Sequence, residues 1–202
     1  MIYMAHRINT LEELRSLPKE YGVELDLRDN IDGSIYIQHN PFEPGEDFEE
    51  YLKEYHHGMM IVNIKSERIE EPVMDLLRKY EVKDYFFLDS SFPMVKLLTD
   101  KGINDIALRY SELEGIDTIE NMAGKVKWIW VDTFAKIPID KKTEQYMHEM
   151  GYKLCFVSPE LESQPEKINL YIDEIKNTGL HFDAVCSKTA YLGRWKENFG
   201  ER

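Results

Sequence analysis

The chain has 202 residues, 43% of them hydrophobic and 31% charged, with a formal net charge of -13. That length suits one domain spanning residues 1–202 with a sizeable core. The charge opposes binding to nucleic acid or to an anionic membrane, whose phosphates it would repel. No apolar run approaches the ~20 residues that span a bilayer. Cys155 and Cys186 sit inside apolar runs and imply no disulfide framework. One apolar run, Met1 to Ala5, leads straight into His6 and leaves no room for a signal peptide, so the expected setting is cytoplasmic.

In chain order, the first predicted strand is Ile2–His6. A helix follows, opened by the capping box Thr10-Leu11-Glu12-Glu13 and ended by Pro18. The second strand, Gly22–Leu27, runs through the turn Asn30-Ile31-Asp32-Gly33 into a short hairpin strand, Ser34–Gln38. The connection Asn40–Asp47, with Pro41, Pro44 and Gly45, reads as irregular, and Phe48–Tyr55 as a helix. Further strands are predicted at Ile61–Lys65, Tyr85–Asp89, Ile106–Tyr110, Trp128–Asp132, Lys153–Val157 and Ala184–Ser187. Between them, Ile69–Tyr80 places Val73, Leu76, Leu77 and Tyr80 on one helical face. Helices at Phe92–Lys101, Asp140–Met150 and Pro165–Asn177 are closed by Gly102, Gly151 and Gly179. Eight strand–helix alternations predict an α/β fold with a parallel sheet, and eight strands close a compact (β/α)8 TIM barrel with short helices and a minimal last one. An open doubly wound sheet is the alternative.

The chemistry-bearing residues gather at strand ends, where such barrels place function. Glu24 and Asp26 are two apart on a strand and share a face, so with Leu25 and Leu27 packing outward they point into the barrel. Two close carboxylates repel unless a cation lies between them, and Mg2+ or Ca2+ is the natural partner; a salt bridge to Arg7 or Arg28 is the alternative. His6 and His39 are candidates for general acid and base, whereas His56, His57, His148 and His181 read as surface residues. Arg7 and Lys65 suit phosphate oxygens, with Lys65 also fit to be a counter-ion of the carboxylates. Asn63 shares the inward face of Lys65 and offers a neutral oxygen to a metal. Asp89 and Arg109 stand where a substrate would be contacted. Trp130, near its strand end, is placed to stack on a sugar or polyol, while Trp128 below it reads as core.

The series His6-Arg7, Gly22-Val23-Glu24-Leu25-Asp26, Asp32-Gly33 and His39-Asn40 resembles the glycerophosphodiester phosphodiesterases, within the phosphatidylinositol-phospholipase-C-like barrel superfamily. Phe182-Asp183-Ala184-Val185-Cys186-Ser187-Lys188 is similar to that family's closing strand. The resemblance is dense over residues 4–65 and topological beyond. It implies that His6 and His39 act as an acid/base pair, that Glu24 and Asp26 bind a divalent metal, and that Arg7 and Lys65 contact phosphate. The substrate implied is a small soluble phosphodiester. Three departures matter: Ile8 stands where a glycine is expected, Asn40 replaces an Asp, and Asn63 takes the place of a third metal-binding Glu. The long insertion that many such enzymes carry after His-Asp is missing. A barrel that binds a phosphorylated ligand without hydrolysing it is therefore the second expectation. A Schiff-base enzyme using Lys65 is the third, opposed by the neighbouring carboxylates, which raise rather than lower an amine's pKa.

Overall fold

The structure, a computed structural model, describes residues 1–200. Its eight parallel strands are β1 (Ile2–Ala5), β2 (Gly22–Asp29), β5 (Met60–Ile64), β6 (Tyr85–Leu88), β7 (Ala107–Tyr110), β8 (Trp128–Val131), β9 (Lys153–Val157) and β10 (Ala184–Ser187). They pair in the spatial order β7-β8-β9-β10-β1-β2-β5-β6. One parallel bridge, Phe87 to Ile106, carries β6 back to β7 and closes the ring. The barrel reading is therefore correct, with β6/β7 as its thinnest seam. Beyond the barrel rim β2 continues to Asp29 and pairs antiparallel with β3 (Ile35–Ile37), which pairs with β4 (Glu46–Asp47). The hairpin is the predicted one, and Gly33 supplies the left-handed turn residue at φ 84°.

Strand alternation builds two cores. Met4, Ile61, Phe86, Leu88, Trp128, Trp130, Cys155, Val157 and Cys186 fill the barrel interior. Their neighbours Ala5, Val23, Leu25, Val62, Phe87, Ile129, Phe156 and Val185 face outward under the helices. The helices are α1 (Leu11–Ser16), α2 (Phe48–Glu54), α3 (Glu70–Lys79), α4 (Phe92–Asp100), α5 (Asp117–Met122), α6 (Lys141–Glu149), α7 (Ile168–Thr178) and α8 (Thr189–Phe199). The capping box forms as read, Thr10 Oγ1 accepting from the Glu13 amide while the Glu13 carboxylate accepts from the Thr10 amide. No described helix is long and apolar enough to cross a membrane.

Three local expectations change, and one helix, α5, carries no signal in the sequence. The last helix, α8, is not minimal: its 11 residues seal the barrel flank through the fully buried Trp195. Helix α5 lacks a side-chain cap and is held by burial of Ile119 and Met122, so no start signal marks it. The Asn40–Asp47 connection contains β4 rather than being wholly irregular. The Pro165–Asn177 segment opens as a 3-10 turn, Pro165–Lys167, before α7 begins.

Gly22 heads β2 where a Cβ would lie 2.3 Å from Met4 Sδ and 2.6 Å from the Met59 carbonyl oxygen. The backbone oxygen cannot yield as a flexible side chain can, so Gly22→Ala is expected to lower the unfolding free energy by roughly 1–3 kcal/mol, read from the urea midpoint.

Candidate functional site

The C-terminal end of the barrel is polar because β2 carries two acids inward. Glu24 and Asp26 are both fully buried, and register pairs Asp26 with Asn63 on the neighbouring β5. Glu24 Oε1 accepts from Asn63 Nδ2 at 2.9 Å and Oε2 from the Arg7 amide at 2.8 Å, with His6 Nε2 3.7 Å from Oε2. Asn9 clamps Asp26, its Nδ2 donating to Oδ2 at 2.9 Å while its Oδ1 accepts from the Asp26 amide at 3.1 Å. Arg7 Nε and Lys65 Nζ approach Asp26 at 3.7 and 3.6 Å. Asp26 Oδ1 and Asn63 Oδ1 are buried, and neither accepts a hydrogen bond within the described chain.

The electrostatics follow from that burial. Desolvation, and then the Asp26 charge, push Glu24 well above the ordinary carboxylate range, against the pull of Asn63, the Arg7 amide and Lys65. Burial lowers His6 to about 3, helped by Arg7, Lys188, His39 and Lys65. His6 is therefore a neutral imidazole near neutral pH.

His39 is half-buried at the end of β3, close enough for its charge to bear on His6. Its Nδ1 lies 3.1 Å from Asn40 Oδ1, and its backbone is fixed from below by Arg28. That guanidinium donates to the His39 carbonyl at 2.7 Å and to the Lys65 carbonyl at 3.0 Å, locking the ends of β3 and β5 together. The alternative salt bridge from Arg28 to Glu24 or Asp26 is not formed; Arg28 is engaged with carbonyls instead.

A chain of ion pairs runs on around the rim. Lys65 Nζ meets Asp89 Oδ2 at 3.1 Å. Arg109 grips both Asp89 oxygens, at 2.7 and 3.1 Å, and reaches Asp132 Oδ2 at 2.7 Å. Burial opposes ionisation of Asp89, but Arg109 and Lys65 outweigh it and its pKa falls below the usual range. For Asp132 burial wins, lifting it to about 6 despite Arg109 and Trp130. Asp89 and Arg109 thus bind each other at the wall of a cavity of about 410 Å3 that Ala107, Gly115 and Thr118 also line. A second cavity, about 540 Å3, opens beside Arg7 and is lined by Asn9, Gln38 and Glu46. The stacking role expected of Trp130 is corrected. Its ring is packed inside the barrel, 4% exposed, and its indole N–H donates to Asp132 Oδ1 at 2.9 Å.

The structure thus brings His6, Arg7, Glu24, Asp26, Asn63 and Lys65 into one cluster with His39 at its rim. Sequence reasoning missed Asn9 and Lys188, and it gave Arg28 the wrong partners. Asn9 and Arg28 act on groups 17 and 37 residues away, a distance that no local pattern encodes. The surface reading of His148 also fails. It is half-buried between Glu144 and Asp183, and His148, His181 and Asp183 form a group able to hold a metal at the opposite end of the barrel.

Neither protein-family models nor curated proteins match this sequence. Solved structures do. A glycerophosphoryl diester phosphodiesterase from Parabacteroides distasonis superposes with TM-score 0.70 at 12% identity, covering 99% of this chain and 87% of that one. Glycerophosphodiester phosphodiesterases from Thermotoga maritima (TM-score 0.60, 18% identity, 98% and 97% covered) and Agrobacterium tumefaciens (0.64, 13%, 92% and 96%) are similar as well. The chain has the fold of these phosphodiesterases over nearly its whole length, and its sequence is far diverged from theirs.

Because His6 titrates near 3 when folded and near 6.5 when unfolded, the unfolded chain takes up the proton first on acidification. Its stability contribution is present above pH 6.5 and is lost as pH falls through that window. Comparing urea midpoints at about pH 6.5 and 4.5, His6→Asn is expected to lose less stability than the wild type.

Proposed function

We propose that this chain is a phosphoric diester hydrolase of the glycerophosphodiester type, acting in the cytoplasm on a small soluble diester with a divalent cation, Mg2+ or Ca2+. One observation carries the reading: His6, Arg7, Glu24, Asp26, Asn63 and Lys65 converge at one barrel end, with two buried oxygens there accepting nothing. Those oxygens, on Asp26 and Asn63, and the Glu24 carboxylate fit a hard cation, which takes oxygen ligands. Glu24, Asp26 and Asn63 are the residues that would hold it, and it would act as a Lewis acid on a phosphoryl oxygen. Arg7 and Lys65 attract the nonbridging oxygens of the diester. Neutral His6 takes the proton of the attacking hydroxyl, and His39 at the rim gives one to the departing alcohol. The short connection after His39 and the net charge of -13 favour a small diester over a lipid surface or nucleic acid.

A second reading, binding without hydrolysis, is favoured by Asn63. Its amide donates to Glu24 where a third carboxylate would add negative charge. Release of alcohol from a panel of glycerophosphodiesters separates the two. Hydrolysis predicts turnover abolished by EDTA and lowered roughly 10²–10⁴-fold by His6→Ala or His39→Ala. Turnover indifferent to both substitutions would remove the assignment. Thermal stabilisation by phosphate ligands, with no turnover under any metal, would select the binding reading. Asn63→Glu restores the third negative charge and is expected to tighten Mg2+ or Ca2+ binding, measured by calorimetric titration.

A further inference from the structure

At the floor of the barrel, far from Glu24 and Asp26, the last turn of α6 meets the connection between α7 and β10. His148 comes from the first, and His181 and Asp183 from the second. One ligating atom from each lies within 4.8 Å of the others. His148 is held between two acids: Nδ1 is 2.7 Å from Glu144 Oε1, and Nε2 is 3.1 Å from Asp183 Oδ2. The Leu154 amide also donates to Asp183 Oδ2 at 2.9 Å, fixing that carboxylate. His181 Nε2 lies 4.0 Å from the other oxygen, Asp183 Oδ1, on an exposed side chain whose ring centroid is 5.5 Å from that of His148.

A neutral imidazole has one N–H and one lone pair. If Nδ1–H donates to buried Glu144, the Nε2 lone pair faces the Asp183 carboxylate, and two acceptors 3.1 Å apart require a positive charge between them. A proton can serve, and so can a metal ion. The second imidazole decides between them, because a proton bridge has no use for His181, whereas a metal gains a ligand from it. Two nitrogens and a carboxylate oxygen suit a borderline-soft dication rather than Mg2+ or Ca2+. The edge of a tetrahedron with ~2.0–2.2 Å bonds is about 3.3 Å. The His148–Asp183 pair at 3.1 Å already matches it, and the His181 ligand atom, within 4.8 Å of the other two, closes to that edge by a shift of about 1.5 Å or less. Glu144 behind His148 completes the carboxylate–histidine–metal arrangement that fixes tautomer and ring orientation.

We propose that His148, His181 and Asp183 form a site for a zinc-class dication, with Glu144 orienting His148 and solvent in the fourth position. The ion would clamp the end of α6 to the start of β10. It is separate from the cation proposed at the barrel mouth.

The full chain, stripped of metal and then kept in excess Mg2+ to occupy the barrel mouth, is titrated with Zn2+ at about pH 7.5, where free imidazoles are largely unprotonated, by calorimetry and by thermal melting. One zinc ion per chain and a raised Tm are expected. His181→Ala removes an exposed ligand without disturbing the fold; it is expected to weaken binding about tenfold or more and to cancel the Tm rise. His6→Asn at the mouth is expected to leave both readouts unchanged. Zinc binding equal in wild type and His181→Ala, its loss in His6→Asn, or no zinc uptake at all would each overturn the site.

Discussion

Two carboxylates buried side by side, Glu24 and Asp26, are the constraint around which the upper half of this barrel is arranged. Unpaired, each would carry a desolvation penalty of several kcal/mol, and their mutual repulsion adds to it. Compensation comes from segments far apart in the chain: the Arg7 backbone and guanidinium, Asn9, Asn63 and Lys65. Each of these groups is held in turn. Arg28 ties the carbonyl of Lys65 to that of His39, so the strand ends bearing the proposed phosphate ligand and the proposed proton donor move as one piece. The same burial that raises Glu24 depresses His6, leaving an acid and a base of opposite inclination 3.7 Å apart.

The rim network also has a mechanical role. The sheet is thinnest between β6 and β7, where a single bridge joins Phe87 and Ile106. Directly above that bridge, Asp89 follows β6 and Arg109 lies on β7, and their two-pronged contact spans the gap. A planar guanidinium on a carboxylate holds geometry as well as charge. The ion pair therefore substitutes for the ladder hydrogen bonds that the seam lacks. Asp89 adopts the left-handed region, φ 62°, to make the contact, a strain of about 1 kcal/mol that the buried pairing sustains.

The departures from the phosphodiesterase pattern resolve differently in three dimensions. At Ile8, where a glycine is expected, the backbone needs no positive φ; the left-handed residue is Arg7, at φ 55°. Ile8 itself packs beneath the helices, with its amide donating to the Glu24 carbonyl at 2.9 Å. A branched side chain is therefore accommodated there, with Glu24 and Asp26 in place beside it. Asn63 is of another kind: it occupies the inward position beside Asp26 with no charge of its own, so its effect would fall on the proposed cation rather than on the fold.

Period-two alternation is a local property, so the sequence alone determined the eight strands, the hairpin at Asn30–Gly33, the capping box at Thr10 and the inward aim of Glu24, Asp26, Asn63 and Lys65. Motif spacing over residues 4–65 likewise made the family resemblance readable, because the chemistry there lies on three consecutive barrel strands. The tertiary structure decided what depends on partners distant in sequence. Helix α5 exists because Ile119 and Met122 have a core to enter, and α8 because Trp195 does. Trp130 is closed in because neighbouring strands surround it, and His148 becomes a bridged group because Asp183, 35 residues on, returns beneath it. Pair energies and desolvation exist only once the ring has closed, and no stretch of chain carries them by itself.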